Sequence, residues 1–113
     1  MSGKFYTRRI SSLKYRKLTL GTTLRKLREN KAELLRKVAA KIDMDSTLLS
    51  KIELNRRFPT ETQLKKLSKY FNEPLQNLTA HLIADRILTE YRDVVAIRRA
   101  VSLLTRRLRR RGD

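Results

Sequence analysis

The stretch from Asp43 to Arg57 brings small hydrogen-bonding side chains and cations together within fifteen residues. Asp43-Met44-Asp45 reads as a short turn, and the helix expected after it, over 46–54, projects Ser46, Thr47, Ser50 and Lys51 outward. These are small or hydrogen-bonding groups with no carboxylate among them. A helix of this kind fits the major groove of B-DNA, where base edges present donors and acceptors. Asn55-Arg56-Arg57 follows at once, offering cations and backbone N–H groups to flanking phosphates. Each residue also has a plainer reading: Asp45 or Ser46 is a natural N-cap, and Lys51 is a typical solvated helix residue. Arg25, Lys26, Lys65, Lys66 and Lys69 fit a solvated face equally well.

Two short helices around a tight turn must position this set. The first is expected over 34–42, burying Leu35, Val38, Ala39 and Ile42; the second buries Leu49, Ile52 and Leu48. Ala39, Ala40, Met44 and Leu49 fall where two steeply crossing helices approach most closely, which calls for small residues. Upstream, Leu20, Leu24, Leu27 and Arg28 are spaced for one face of a helix over 20–30. Downstream, Asn55 suits the left-handed conformation that stops a helix. Thr60 with Gln63 forms a capping box that opens a helix over 61–71, with Leu64, Leu67 and Phe71 buried. Asn72-Glu73-Pro74 ends it, and a fifth helix opens near Pro74-Leu75. Glycine and proline are scarce, and no stretch alternates with a two-residue period, so the chain reads as all-α.

Composition narrows the partner. The 113 residues hold 28 Lys plus Arg against 11 Asp plus Glu, a formal charge of +17. The excess is distributed: six basic and no acidic side chains in 1–19, thirteen and seven in 20–83, nine and four in 84–113. Such an excess repels itself and seeks a polyanion. Double-stranded DNA leads, because releasing phosphate counterions turns each cation contact into affinity; a membrane surface comes second. There is no cysteine, hence no disulfide, thiolate zinc site or cysteine nucleophile. The lone histidine, His81, lies in an apolar helical stretch and reads as a packing residue, so no metal and no cofactor is expected. No apolar run approaches the roughly 18 residues that span a bilayer, and no apolar segment follows Lys4 as in a secretory signal. A cytoplasmic, nucleoid-associated protein is expected. No nucleophile is paired with a base and no glycine-rich loop is present, so an enzyme is not.

Leu20-Gly21, Leu24-Arg25-Lys26-Leu27-Arg28, Val38-Ala39-Ala40-Lys41-Ile42, Leu49 to Arg57 with Pro59 and Thr60, and Leu64 to Phe71 together resemble a known pattern. Over residues 20–78 the chain is similar to the Xre/Cro-type helix-turn-helix domain of phage repressors and restriction-modification controllers. The resemblance implies a five-helix, lambda-repressor-like domain. It also implies a partly buried ion pair between Arg28 and Glu53, linking the first helix to the recognition helix. Base-reading positions then match Ser46, Thr47 and Lys51, with Ser50 and Leu48 as additions. Beside these, the residues themselves assign phosphate contacts to Ser50, Asn55, Arg56 and Arg57. Two departures stand out: Glu33-Leu34-Leu35 replaces the family's usual Gly-Leu-Ser-Gln, leaving Arg36 or Lys37 to supply a phosphate contact, and Asn55 replaces a glycine.

Outside 20–78 lie a basic N-terminal arm (1–19) and a C-terminal helical extension (79–113). The arm, with a short helix at 11–18 as one option, either enters a minor groove through Arg8-Arg9 and Arg16-Lys17 or attracts DNA non-specifically. In the extension, Ile87, Val94, Val101 and Leu108 recur every seven residues. Ile97 and Leu104 follow Val94 and Val101 by three, as a and d positions do; Glu90 interrupts the seam. The stripe either makes a homodimer or folds back on its own domain. The nine arginines of 84–113, with no lysine after residue 69, suit phosphate or an acidic partner. The reading is a dimeric, sequence-specific repressor. Its alternatives are an antitoxin that binds a protein partner through the extension and autoregulates its operon, and a non-specific architectural protein.

Overall fold

The computed structural model describes residues 18–112. The arm, including Arg8-Arg9, Arg16-Lys17 and the optional helix at 11–18, therefore lies largely outside the described residues. Among those described there are six helices and no strand: α1 (Leu20–Asn30), α2 (Leu35–Lys41), α3 (Ser46–Glu53), α4 (Glu61–Phe71), α5 (Leu75–Tyr91) and α6 (Ile97–Arg110).

The helix ends follow local chemistry. Thr19 caps α1, its hydroxyl accepting from the Thr22 N–H. At α4 the Thr60 hydroxyl accepts from the Gln63 N–H at 3.2 Å, while Gln63 Oε1 accepts from the Thr60 N–H at 2.9 Å. That reciprocal pair is the expected capping box. Asn72 closes α4 in the left-handed region, φ 53°, and Asn55 takes the same region after α3, φ 62°. Ala32 and Asp43 also have positive φ. Nothing in their residue types announced Ala32; its turn is held by the Glu33 contacts described below.

One core joins these helices. Leu20 and Leu24 of α1, Val38 and Ala39 of α2, Leu49 and Ile52 of α3, Leu64 and Leu67 of α4, and Leu78 of α5 are all buried, with Ile42 beside them. Helix α3 packs on α1 and α2, and α5 packs on α4 and α1. The periodicity found this face because burial of such leucines stabilises by roughly 1.5–3 kcal/mol each. Ala40, expected at a close approach, is exposed instead. It lies one residue, about 100° of helix, past the buried Ala39, which faces the core alone. Thr23 and Pro59 are buried, and neither was expected to be.

The C-terminal part departs from expectation in two ways. The boundary drawn at 78/79 falls inside α5, which continues unbroken to Tyr91. It does so because its second half is bonded back to the domain: Asp85 reaches Leu20, and the Arg86 guanidinium lies 5.0 Å from the Phe58 ring centroid. The heptad-spaced extension is also not one helix. The chain bends over 92–96, and α6 starts afresh at Ile97. Ile87, Val94, Val101 and Leu108 therefore do not lie along one continuous helix, since Val94 sits in the bend. The folded-back alternative fares no better: no residue of α6 is buried.

Candidate nucleic-acid interface

Helix α3 is divided lengthwise. With about 100° per residue, Ser46, Thr47, Ser50 and Lys51 occupy one half of its circumference, and Leu48, Leu49, Ile52 and Glu53 the other. Burial follows this division: Leu49, Ile52 and Glu53 are buried, whereas Thr47 and Lys51 are exposed and Ser46 and Ser50 half-exposed. The N-cap is Asp45, whose carboxylate accepts from the Thr47 N–H at 2.7 Å. The choice between Asp45 and Ser46 is thus made. Ser46 opens the helix as its first residue, with no capping duty.

The buried half is anchored by charge. Arg28 Nε donates to Glu53 Oε2 at 2.8 Å and Nη2 to Oε1 at 3.0 Å, a bidentate fork. Its remaining arm, Nη1, donates to the Glu33 carbonyl at 2.9 Å. The side chains are only 16% and 5% exposed, so the pair is withdrawn from water and its geometry is specific. The hydrogen bond to Glu53 raises the Arg28 pKa further above its already high value, against a smaller lowering by burial. One arginine therefore fixes both the register of α3 against α1 and the loop entering α2.

A second clamp holds the end of α3. The Gly21 N–H donates to Asn55 Oδ1 at 3.1 Å. A Cβ on Gly21 would lie within van der Waals contact of the Ile52 carbonyl and 2.7 Å from the Glu53 carbonyl. The first turn of α1 thus rests directly on the last turn of α3, an approach only glycine permits.

These bonds revise the expected phosphate contacts. Asn55 is exposed, yet its side-chain oxygen is engaged by Gly21. The Asn55 and Arg56 N–H groups donate to the Ile52 and Lys51 carbonyls at 3.1 and 2.9 Å, closing the end of α3. The backbone amides at 55 and 56 are therefore structural, and the donors this loop has for a phosphate are the Asn55 side-chain nitrogen and the exposed cations of Arg56 and Arg57. Arg36 and Lys37 are exposed at the start of α2. Among the described residues none of these four is held in a salt bridge.

Two supports escaped sequence reasoning. The Tyr70 hydroxyl donates to the Glu33 carboxylate in a short hydrogen bond, with Lys31 Nζ 3.6 Å from the same carboxylate and 4.6 Å from the Tyr70 ring centroid. This cluster pins the α1–α2 loop to α4. It holds the Glu33 carboxyl below its ordinary range and raises the Tyr70 hydroxyl, each chiefly through their mutual hydrogen bond. Asp85 is the second support, and no local signal marks it because its partner lies 65 residues away.

The model of the Helix-turn-helix domain family matches residues 21–92, from the first turn of α1 to just past the end of α5. The chain belongs to the helix-turn-helix family. No curated protein and no solved structure matches it. The family binds DNA, and within the matched span α2 and α3 are two short helices joined by a tight turn, with the polar half of α3 uncovered. The matched span ends where α5 ends, in agreement with the bonds that Asp85 and Arg86 make to α1 and Phe58. Among the described residues no helix is long and apolar enough to cross a membrane.

Proposed function

We propose that this helix-turn-helix protein is a sequence-specific transcriptional regulator of the Xre/Cro type, a repressor that reads double-stranded DNA with α3 in the major groove. The observation that carries this reading is the division of α3. Its inner half is locked to α1 by Arg28–Glu53 and Gly21–Asn55, and its outer half presents Ser46, Thr47, Ser50 and Lys51 with no carboxylate. A rigid scaffold behind short polar side chains is what base-edge discrimination needs. Thr47 and Lys51 lie furthest outward and read bases with Ser46, while Ser50, Arg36, Lys37, Arg56 and Arg57 hold phosphates. The net charge of +17 supplies the non-specific attraction on which this selectivity is built. A protein working on the nucleoid in the cytoplasm as a pair of copies, one per half-site, fits this reading.

The test is selection of bound sequences from a random duplex pool at about 150 mM salt, where screening limits non-specific attraction. The expected result is an enriched motif with two-fold symmetry and half-sites about 10 base pairs apart. Replacing Lys51 or Thr47 then changes which bases are preferred. The variant Arg57→Gln weakens all duplexes alike and lowers the salt slope by about 1. Binding that enriches nothing and vanishes as salt rises overturns the regulator in favour of an architectural protein.

A further inference from the structure

Helix α6 is amphipathic with its apolar side uncovered. At about 100° per residue, Ile97, Ala100, Val101, Leu104 and Leu108 fall within an arc of about 100°. Val101, Leu104 and Leu108 are 41–49% exposed, and no residue of the helix is buried. The first part of the arc, with Ile87 and Tyr91 of α5, lines an open apolar groove of about 350 Å³. Arg98, Arg99, Arg106, Arg107, Arg109 and Arg110 occupy the opposite half of the circumference, all exposed, with Leu103 the one large apolar side chain among them. Residues 94–112 contain no acidic side chain. Among the described residues none of these six guanidiniums has a salt-bridge partner. An isolated helix of about 12–15 residues is marginal in water and is held by packing its amphipathic face. At 14 residues, α6 packs that face on nothing that buries it.

We infer that α6 docks this face on the surface of an anionic phospholipid bilayer, lying in the plane of the headgroups. The inference does not rest on the DNA-binding reading. Six cations without an acid among them select an anionic occupant, and the apolar arc selects one that also offers hydrocarbon. A helix with an arginine-rich polar face, an aliphatic opposite face and low net hydrophobicity is built for that boundary. A nucleic-acid backbone supplies phosphates but no apolar layer to cover the leucines. A second copy brings the same arginines and is repelled. An acidic helix seated in the groove reaches Arg98 and Arg107, which flank the arc, and leaves the far-side arginines facing water. The potential of an anionic bilayer acts on every cation within a screening length, so it attracts all six. The long stems of Arg98 and Arg107 let their guanidiniums rise to the phosphates while the stripe sits below. Tyr91, 45% exposed at the groove, has the amphipathic ring that suits headgroup level.

The test is co-sedimentation of the full chain with vesicles of phosphatidylcholine, alone or mixed with phosphatidylglycerol. Salt is about 0.1 M, where the screening length is about 10 Å. The mixed vesicles are expected to carry the chain down, and phosphatidylcholine alone to leave it in solution. A net charge of +17 attracts anionic lipid by itself, so variants of equal charge locate the contact. Arg106→Gln/Arg107→Gln/Arg110→Gln lowers partitioning roughly 100-fold, at about fivefold per arginine held at the surface. Lys65→Gln/Lys66→Gln/Lys69→Gln removes the same charge from exposed positions of α4 and costs less than about tenfold. Leu104→Ser/Leu108→Ser keeps the charge and loses at least about tenfold; because no residue of α6 is buried, the domain stays folded, as circular dichroism checks. The chain has no tryptophan, so Val101→Trp reports on this face alone, and its emission moves to the blue on the mixed vesicles. Equal losses for the two charge variants, or no loss for Leu104→Ser/Leu108→Ser, overturn the inference and leave only the attraction of net charge. So does an equal blue shift without vesicles. Produced by a mixed-sequence duplex, by an amphipathic peptide of glutamate and leucine or by raised protein concentration, it assigns the face to nucleic acid, an acidic protein or a second copy.

Discussion

The Leu20 N–H donates to the Asp85 carboxylate at 2.7 Å, across 65 residues of sequence. One carboxylate on α5 thereby satisfies an amide that the first turn of α1 leaves without an intrahelical partner, at the positive end of the helix dipole. Losing a charged cap of this kind costs about 0.5–2 kcal/mol. The variant Asp85→Ala is expected to fall in this range. At about 4–8 °C per kcal/mol for a domain of 60–100 residues, thermal unfolding resolves it. Asp85→Asn, which keeps an acceptor and loses the charge, falls between wild type and alanine. An unchanged melting temperature for Asp85→Ala would show that water replaces the carboxylate without loss.

Gly21 reverses a familiar rule. Alanine inside a helix normally gains about 1 kcal/mol over glycine, and Gly21 has ordinary helical φ. Here the added methyl meets the carbonyls of Ile52 and Glu53 and the Asn55 side chain. Gly21→Ala is therefore expected to destabilise by about 1–3 kcal/mol, the usual cost of overpacking. Urea denaturation measures it as a lowered midpoint. On the proposed reading of α3 as the base-reading helix, DNA affinity falls with it, because the displaced groups close α3. A raised midpoint would sink the close-approach argument.

Arg28 and Glu53 share one buried fork, so removing one partner strands the other. Glu53→Ala or Arg28→Ala is expected to cost about 3–5 kcal/mol. The paired change Arg28→Met/Glu53→Leu recovers most of that loss, because no uncompensated charge then stays buried. A double-mutant cycle in urea checks both statements. Equal losses for the single and paired variants would mean that the fork contributes packing alone.

The Glu33–Tyr70 bond sets a pH window. Glu33 has its folded pKa lowered from the ordinary 4.5, so its contribution is present above that value and is lost as pH falls through the lowered one. Tyr70 has its folded pKa raised from 10.0, so its contribution is present below pH 10 and is lost as pH rises through the raised value. The stability difference between wild type and Tyr70→Phe is therefore expected to be flat between about pH 5 and 10 and to shrink on both sides. Denaturant unfolding as a function of pH tests this. A difference that persists unchanged at pH 3 would rule out the carboxylate as the partner.

What the chain states locally was legible without a structure. Leucines at intervals of three and four marked α1 and α4, Thr60 and Gln63 announced their capping box, and Asn55 announced the stop after α3. These signals depend on neighbours within a turn or two, so residue order contains them. The polar half of α3 was visible for the same reason, and the Arg28–Glu53 pair through resemblance to a family that places such residues at those positions.

The tertiary structure alone decided what depends on contacts between distant segments. Asp85 looks like any exposed helix acid until folding sets it over Leu20, and that bond carries the domain past residue 78 to the end of α5. Asn55 reads as an ordinary helix stop until folding brings its oxygen to the Gly21 N–H. The seven-residue spacing through Val94 suggested one long helix, yet the chain bends at 92–96 and presents α5 and α6 as two walls of a groove. Periodicity records which residues want one face; where that face turns, and what it meets, is set by packing energies that no local pattern contains.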